Sequence, residues 1–219
     1  MTRTDVGGME VTRRGRQEQV ERTRQRILQT AERLFAEHGV FSISNRQISE
    51  AADQGNNAAV NYHFGTKSDL VRAIVRRHAE GMDVIRAGLL ERYAGSTTLR
   101  DWVTCVVLPF TGHLESLGLP SWYARFAAQV MTEPKLRELA VTELGESALP
   151  RAVTEGVHRC LPGLPPAVRD ERDEMAHTLI VHFCAQRERT ADPRWPATAD
   201  GLIDAIEGLY RAPVSASAD

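Results

Sequence analysis

The stretch SNRQISEAADQGNNAAVNYHFGTK, residues 44–67, reads as two short helices joined by a tight turn. Ser44 or Asn45 offers a side-chain oxygen to cap the first helix. Ile48, Ala51 and Ala52 follow at three- and four-residue spacing, a stripe for one buried face. Asp53, Gln54, Gly55 and Asn56 then interrupt the period with residues that tolerate turns and left-handed backbone. Helical spacing resumes over Asn57 to Phe64, where Ala59, Val60 and Phe64 suit packing. Asn56, Asn57, Asn61, Tyr62 and His63 are left over as hydrogen-bonding groups, better matched to a DNA groove than to a protein core. Small residues belong where two such helices touch, and Ala51, Ala52, Ala58 and Ala59 are placed to serve there.

Upstream, the spacing predicts a helix from about Glu18 to His38, with Ile27, Ala31, Leu34 and Phe35 facing inward. Gly39 stops it at the position where positive φ costs least, and Val40, Phe41 and Ile43 are expected to cover the core of this head. Residues 1–20 show no apolar period and read as a flexible basic arm, with Arg13, Arg14 and Arg16 beside the first helix. Two readings are open for it: a solvated tail, or an arm that follows the DNA backbone or enters the minor groove. Downstream, Gly65 ends the second short helix. Thr66 then caps a long helix with Asp69 in its first turn, running past Leu70, Ile74 and Val84 to about Tyr93.

The run from about Arg22 to Glu80, with ILQTAERLFAEHG (27–39), RQISEAA (46–52) and AAVNYHFGTKSDL (58–70), resembles the DNA-binding domain of the tetracycline-repressor (TetR) family. Between the Ala51–Ala52 pair and Phe64 the chain is one residue longer than the family's pattern, and Gly55 is the extra turn residue. The resemblance implies an all-α fold: a three-helix DNA-binding head (21–66) with a helix-turn-helix, joined by a long helix to a helical ligand-binding and dimerisation body (67–212), and then a disordered tail (213–219). It implies a repressor that binds a near-palindromic operator in double-stranded DNA as a homodimer and is released by a small molecule. For base reading the candidates are Asn56, Asn57 and Asn61, since an amide presents the donor and acceptor that adenine matches in the major groove. Tyr62 and His63 look like the family's phosphate-contacting aromatic pair, and Lys67 like its phosphate-binding lysine. Ser44 and Arg46 are further candidates for phosphate contact at the start of the preceding helix. His63 has a second reading as a packed core histidine.

After Gly95 every recognisable pattern is helical. Thr98 to about Leu117 is apolar, and Pro109 is expected to bend or split it. Helices follow over Ser121–Met131 and from Pro134 through Leu144 to a break near Pro150, and LPGLPP (161–166) is a loop. The last two helices, Pro166 to about Arg189 and Thr198 to Arg211, carry Val168, Met175, Leu179, Ile180 and Phe183 and then Leu202, Ile203, Ile206, Leu209 and Tyr210. Gly201 and Gly208, seven apart, permit close helix approach. This pair resembles the family's dimer interface, a four-helix bundle from two subunits; alternatively it completes the subunit core. Candidates for a ligand site are Trp102, Cys105, Phe110, His113, Trp122, Tyr123, Phe126 and His177, the mixture of aromatic, apolar and few polar groups that such a cavity needs; the same residues at helical spacing also suit a plain core.

Charge is divided unevenly. The chain carries a net −2, but residues 1–80 balance to +3 and residues 81–219 to −5. A basic head on an acidic body fits a DNA reader with a separate sensing part. Cys105, Cys160 and Cys184 form no disulfide framework and read as small buried hydrophobes, with a redox pair as the other reading. His177 and His182 point about 140° apart on a helix, so no zinc site is expected. No apolar run approaches membrane-spanning length and no secretory signal is seen, so a cytoplasmic protein without membrane contact is expected. No nucleophile elbow, phosphate-cradling glycine loop or paired-carboxylate motif points to an enzyme, and no cofactor is expected. The rival functions are a ligand-independent or activating regulator of the same fold, an architectural DNA binder and, more remotely, an enzyme in the helical body.

Overall fold

The computed structural model describes residues 6–53 and 58–215, with side chains from residue 15 onward. Among the described residues there are ten helices and no strand. The head consists of α1 (Val6–His38), α2 (Asn45–Ala51) and α3 (Ala59–Phe64). Helix α4 (Lys67–Tyr93) leads into the body, built from α5 (Leu99–Leu117), α6 (Tyr123–Thr132), α7 (Pro134–Leu144), α8 (Ala148–Arg159), α9 (Pro166–Arg187) and α10 (Trp195–Arg211).

Three boundaries differ from the sequence reading. Helix α1 begins at Val6, not near Glu18, so part of the expected arm is helical. Its residues from Gly15 to Arg22 are exposed, so no apolar stripe was needed there and no period marked it. Pro109 neither ends nor splits α5, which runs unbroken to Leu117. Pro150 starts a helix instead of breaking one: α7 ends at Gly145, and Ser147 caps α8 with Pro150 in its first turn, where a missing N–H costs nothing. The loop before α9 and the Thr66 cap of α4 stand as read, with Thr66 and Asp69 forming a reciprocal capping box.

One core runs through head and body. Ile27, Ala31 and Phe35 of α1, Ile48 of α2 and Val60 of α3 are fully buried with Leu70, Val71 and Ile74 of α4. Phe41, expected to cover this core, is 65 % exposed, while Val40 and Ile43 on either side of it point in. Helix α4 does not join the parts alone. Helix α6 lies against α1, and Phe126 stacks on Phe35 with ring centroids 6.3 Å apart. Glu143 of α7, buried, pairs with Arg76 of α4 and lies 3.6 Å from Arg72, so the body also grips the head-proximal turns of α4.

Two buried ions act as caps that the sequence does not advertise. Glu188, just past α9, accepts hydrogen bonds from the Ser121 hydroxyl (2.9 Å), the Ala124 and Arg125 amides (3.1 and 3.0 Å) and the Arg125 guanidinium (3.1 Å). It satisfies the free N–H groups opening α6, a helix whose own N-cap residue, Trp122, has no side-chain oxygen to offer. Arg172 of α9 donates to the Tyr210 and Ala212 carbonyls (2.7 Å each) and so closes the C-terminus of α10.

Candidate nucleic-acid interface and interior cavity

The helix-turn-helix is assembled by side chains that cross between its helices. Ser44 caps α2 in a reciprocal box with Gln47, leaving the Ser44 side chain exposed at the helix start. Ile48 and Ala52 are buried against Ala59 and Val60, whereas Ala51 and Ala58 face outward, so half of the expected small-residue contact is made. Ser49 replaces the missing half: it is fully buried, and its hydroxyl accepts from the Val60 amide at 3.4 Å. Asp53 adopts φ 52°, the left-handed backbone read for this turn. Asn56, Asn57 and the extra Gly55 lie outside the described residues.

Helix α3 is held at three points. The Asn45 amide donates to the Asn61 side-chain oxygen at 2.7 Å, which engages one half of the Asn61 amide; the other half has no partner among the described residues, and Asn61 is exposed. Arg24 of α1 donates to the His63 carbonyl at 2.7 Å and lies over the Phe64 ring at 4.5 Å, placing a cation at the negative end of α3. Gly65 ends α3 at φ 80°, a conformation that other residues adopt only under strain. Sequence reading took Asn45 only as a possible cap of α2 and gave Arg24 no role, since each works through a contact with a distant helix.

The resulting face is polar and open. Tyr62 is 81 % exposed with its ring edge against His63. His63 is half-buried, and burial together with Arg24 lowers its pKa, so it is neutral at pH 7. Arg46 is exposed and paired with Glu50 at 2.8 Å, a surface pair that is easily given up. Lys67 is placed differently from the other cations: its ammonium donates to the Val40 and Ile43 carbonyls at 3.0 and 2.5 Å, tying the loop after α1 to the start of α4. Two of its three donors are therefore used within the head.

The body forms a partly open cavity of about 370 Å³ between α4, α5, α6, α7, α8 and α9. Cys105, Phe110, Tyr123, Phe126 and His177 line it. Trp102, His113 and Trp122 do not. Trp102 is buried against Gly156, its indole N–H donating to the Ser96 carbonyl at 3.0 Å, and Trp122 precedes α6. Arg86, Met82, Val153 and Ile180 are among the other residues of the wall; they are spread over separate helices, so no single period marks them.

His113 belongs to a buried polar chain behind the wall. His78 of α4 bonds His113 of α5 at 2.8 Å through one ring nitrogen and Glu32 of α1 at 2.9 Å through the other. Tyr123, whose ring forms part of the cavity wall, stacks on His78 at 3.7 Å. Burial and the neighbouring His78 push His113 down to about 4. Cavity wall, linking helix and head helix thus meet at His78, which stacks on Tyr123 and bonds Glu32.

Outside these sites, His158, Asp170 and Asp173 bring potential metal ligands within 4.8 Å, but both Asp173 oxygens already accept, from His158 (2.7 Å) and from the Tyr210 hydroxyl (2.6 Å). The cysteines are all free; Cys105 and Cys184 are buried and raised to about 11 and about 12 by desolvation. No helix among the described residues is long and apolar enough to cross a membrane.

Comparison with known proteins places this geometry. Residues 27–74 match the family model described as bacterial regulatory proteins, tetR family. Over 75 residues the chain is 39 % identical to the HTH-type transcriptional repressor AcnR of Corynebacterium glutamicum, and equally so to AcnR of Corynebacterium efficiens. That similarity covers 33 % of this chain and spans 39 % of each repressor's length. The crystal structure of the TetR family transcriptional regulator PfmR from Thermus thermophilus superposes with a TM-score of 0.51 at 18 % identity, covering 87 % of this chain and 97 % of that one, which is a likeness of fold.

Proposed function

We propose, for a chain that belongs to the tetR family of bacterial regulatory proteins, that it is a cytoplasmic transcriptional repressor which binds a near-palindromic operator as a homodimer and is released by a small molecule. The observation carrying this reading is the α3 face, where Asn61 and Tyr62 stand exposed on a helix fixed by Asn45, Arg24 and Gly65. Asn61, with Asn56 and Asn57 beside it in sequence, reads base edges in the major groove. Tyr62, His63, Arg46 and Ser44 contact phosphates, and Lys67 contributes its remaining donor there.

Dimerisation is supported by the outer side of α9 and α10. Met175, Leu179 and Phe183 are 46, 37 and 40 % exposed at four-residue spacing, and beside them α10 turns out Ala197, Gly201, Ala205 and Gly208. A large-residue ridge next to a small-residue face suits a four-helix bundle with a second copy. Release follows from the arrangement behind the cavity. A ligand that shifts Tyr123 or Phe126 bears on His78, Glu32 and Phe35, and so on α4 and α1 together. Tenfold relief of binding needs the ligand to distinguish the two body shapes by about 1.4 kcal/mol.

Selection of bound duplexes from a random pool, repeated with candidate metabolites, tests the reading. The expected product is an inverted repeat whose half-sites lie about one helical turn apart, and whose retention falls with one metabolite class. A monomeric protein with no preference among duplexes at moderate ionic strength overturns it.

A further inference from the structure

The cavity can be read for the chemistry of its occupant. Its wall is mostly apolar, and the few polar groups in it carry almost no net charge. Arg86 is its one cation, and Asp83, one turn earlier on α4, is paired with it, both side chains being largely buried. Cys105 remains a thiol at neutral pH because desolvation raises it to about 11, and Tyr123 is pushed up by burial; His177, an exposed residue at the edge of the lining, is lowered by desolvation and by the neighbouring Arg137. An anionic ligand would bring an unmatched charge against a mostly apolar wall whose cation is already paired, which disfavours it.

Among the polar side chains of the wall, Cys105, Tyr123 and His177 form no side-chain hydrogen bond with the described residues, and Tyr123 offers the strongest donor of these. The Tyr123 residue is 4 % exposed, its ring is fixed between His78 and Phe110, and among the described residues its hydroxyl forms no hydrogen bond. A buried phenol ordinarily finds a partner, and a donor left open toward a cavity is a place for a ligand's acceptor. Resting on the ligand-released repressor reading, we infer that the cavity takes an uncharged, largely apolar molecule carrying a carbonyl or ether oxygen, which accepts a hydrogen bond from Tyr123. The donor and the stack on His78 belong to one ring, so seating the acceptor draws on the same residue that touches the polar chain to α1.

The test uses two fluorophores that share one skeleton and differ in charge, neutral N-phenyl-1-naphthylamine and its sulfonate, 1-anilinonaphthalene-8-sulfonate, titrated into the full-length protein. The neutral probe should saturate at one per chain and bind at least tenfold tighter than the anion. Ala127→Trp, which fills the cavity, should abolish the signal while circular dichroism and the melting temperature report an intact fold. 2-Decanone should displace the neutral probe, and decanoate at pH 7.5 should do so at least tenfold less well. Tyr123→Phe keeps the ring and its stack; it should weaken 2-decanone about fivefold or more while leaving the naphthylamine unchanged. Equal or tighter binding of the anions overturns the uncharged class, and unchanged ketone affinity in Tyr123→Phe overturns the anchor. Ketone binding that meets these expectations but leaves operator affinity unaltered would sustain the inference and instead refute release by the ligand.

Discussion

The head and the body handle polar groups in opposite ways. In the head, Tyr62, Asn61 and Arg46 are turned outward and the crossing contacts are short ties that hold α3 in place. In the body, Glu188, Arg172 and Glu143 are buried, and His113 bonds through His78 of α4 to Glu32 of α1, each satisfied by partners on other helices. The difference teaches where each part is vulnerable. On the proposed reading, a polar residue lost from the head face removes a contact with DNA, whereas one lost from the body strands a buried donor or acceptor and costs fold stability.

The largest expected effect lies in the body. Glu188→Ala leaves the Arg125 guanidinium and two α6 amides without their acceptor and should lower unfolding free energy by about 3 to 5 kcal/mol in urea titrations. A loss under about 1 kcal/mol would show that water replaces the carboxylate, and the contrast between the two regions would weaken. In the head, Asn61→Ala should cost about 1 to 3 kcal/mol of operator affinity and relax preference at one base position, with little change in the urea midpoint. Equal losses on operator and random duplexes would mean that Asn61 reads no base.

Arg24→Met sharpens the comparison, because Arg24 is a head residue with a positioning task. It should reduce stability by about 1 kcal/mol through the lost α3 C-terminal bond and ring contact, and reduce operator affinity because α3 loosens. Unaltered DNA binding would show that Asn45 and Gly65 suffice to hold the helix. A further effect is a slope with pH. His113 is held at about 4 in the folded chain against an ordinary 6.5, so the unfolded chain binds the extra proton first. Stability should therefore fall as pH drops from about 6.5 toward 4, and His113→Asn should flatten that slope in urea midpoints taken at pH 7, 6 and 5. An identical slope in the variant would assign the effect elsewhere.

The two regions also differ in how far they could be read in advance. The head's helices, its turn at Asp53 and the Thr66–Asp69 cap were legible because each rests on residues within four positions of one another. The same local logic misjudged Phe41, Ala51 and Pro150, whose burial or helix position depends on what packs beside them. In the body, periodicity found the helices but could not separate cavity from core: Tyr123 and Phe126 line the cavity while Trp102, at comparable spacing, fills a notch made by Gly156. Residues 56 and 57 of the recognition segment lie outside the described structure, so the candidates there rest on sequence alone.

By itself the sequence determined that the chain is helical, that residues 44–67 make two helices about a turn, and which polar side chains that motif leaves outward. These follow from periodicity, capping and turn chemistry, all of which act over a few residues. Only the tertiary structure decided that α6 braces α1, that Arg24 and Asn45 fix α3, that Lys67 is tied to the loop before α2, and that His113 joins a buried chain instead of the cavity wall. Those contacts join residues from 16 positions apart (Asn45 and Asn61) to 91 (Phe35 and Phe126), and no local pattern in a single chain encodes which distant partner a buried polar group will meet.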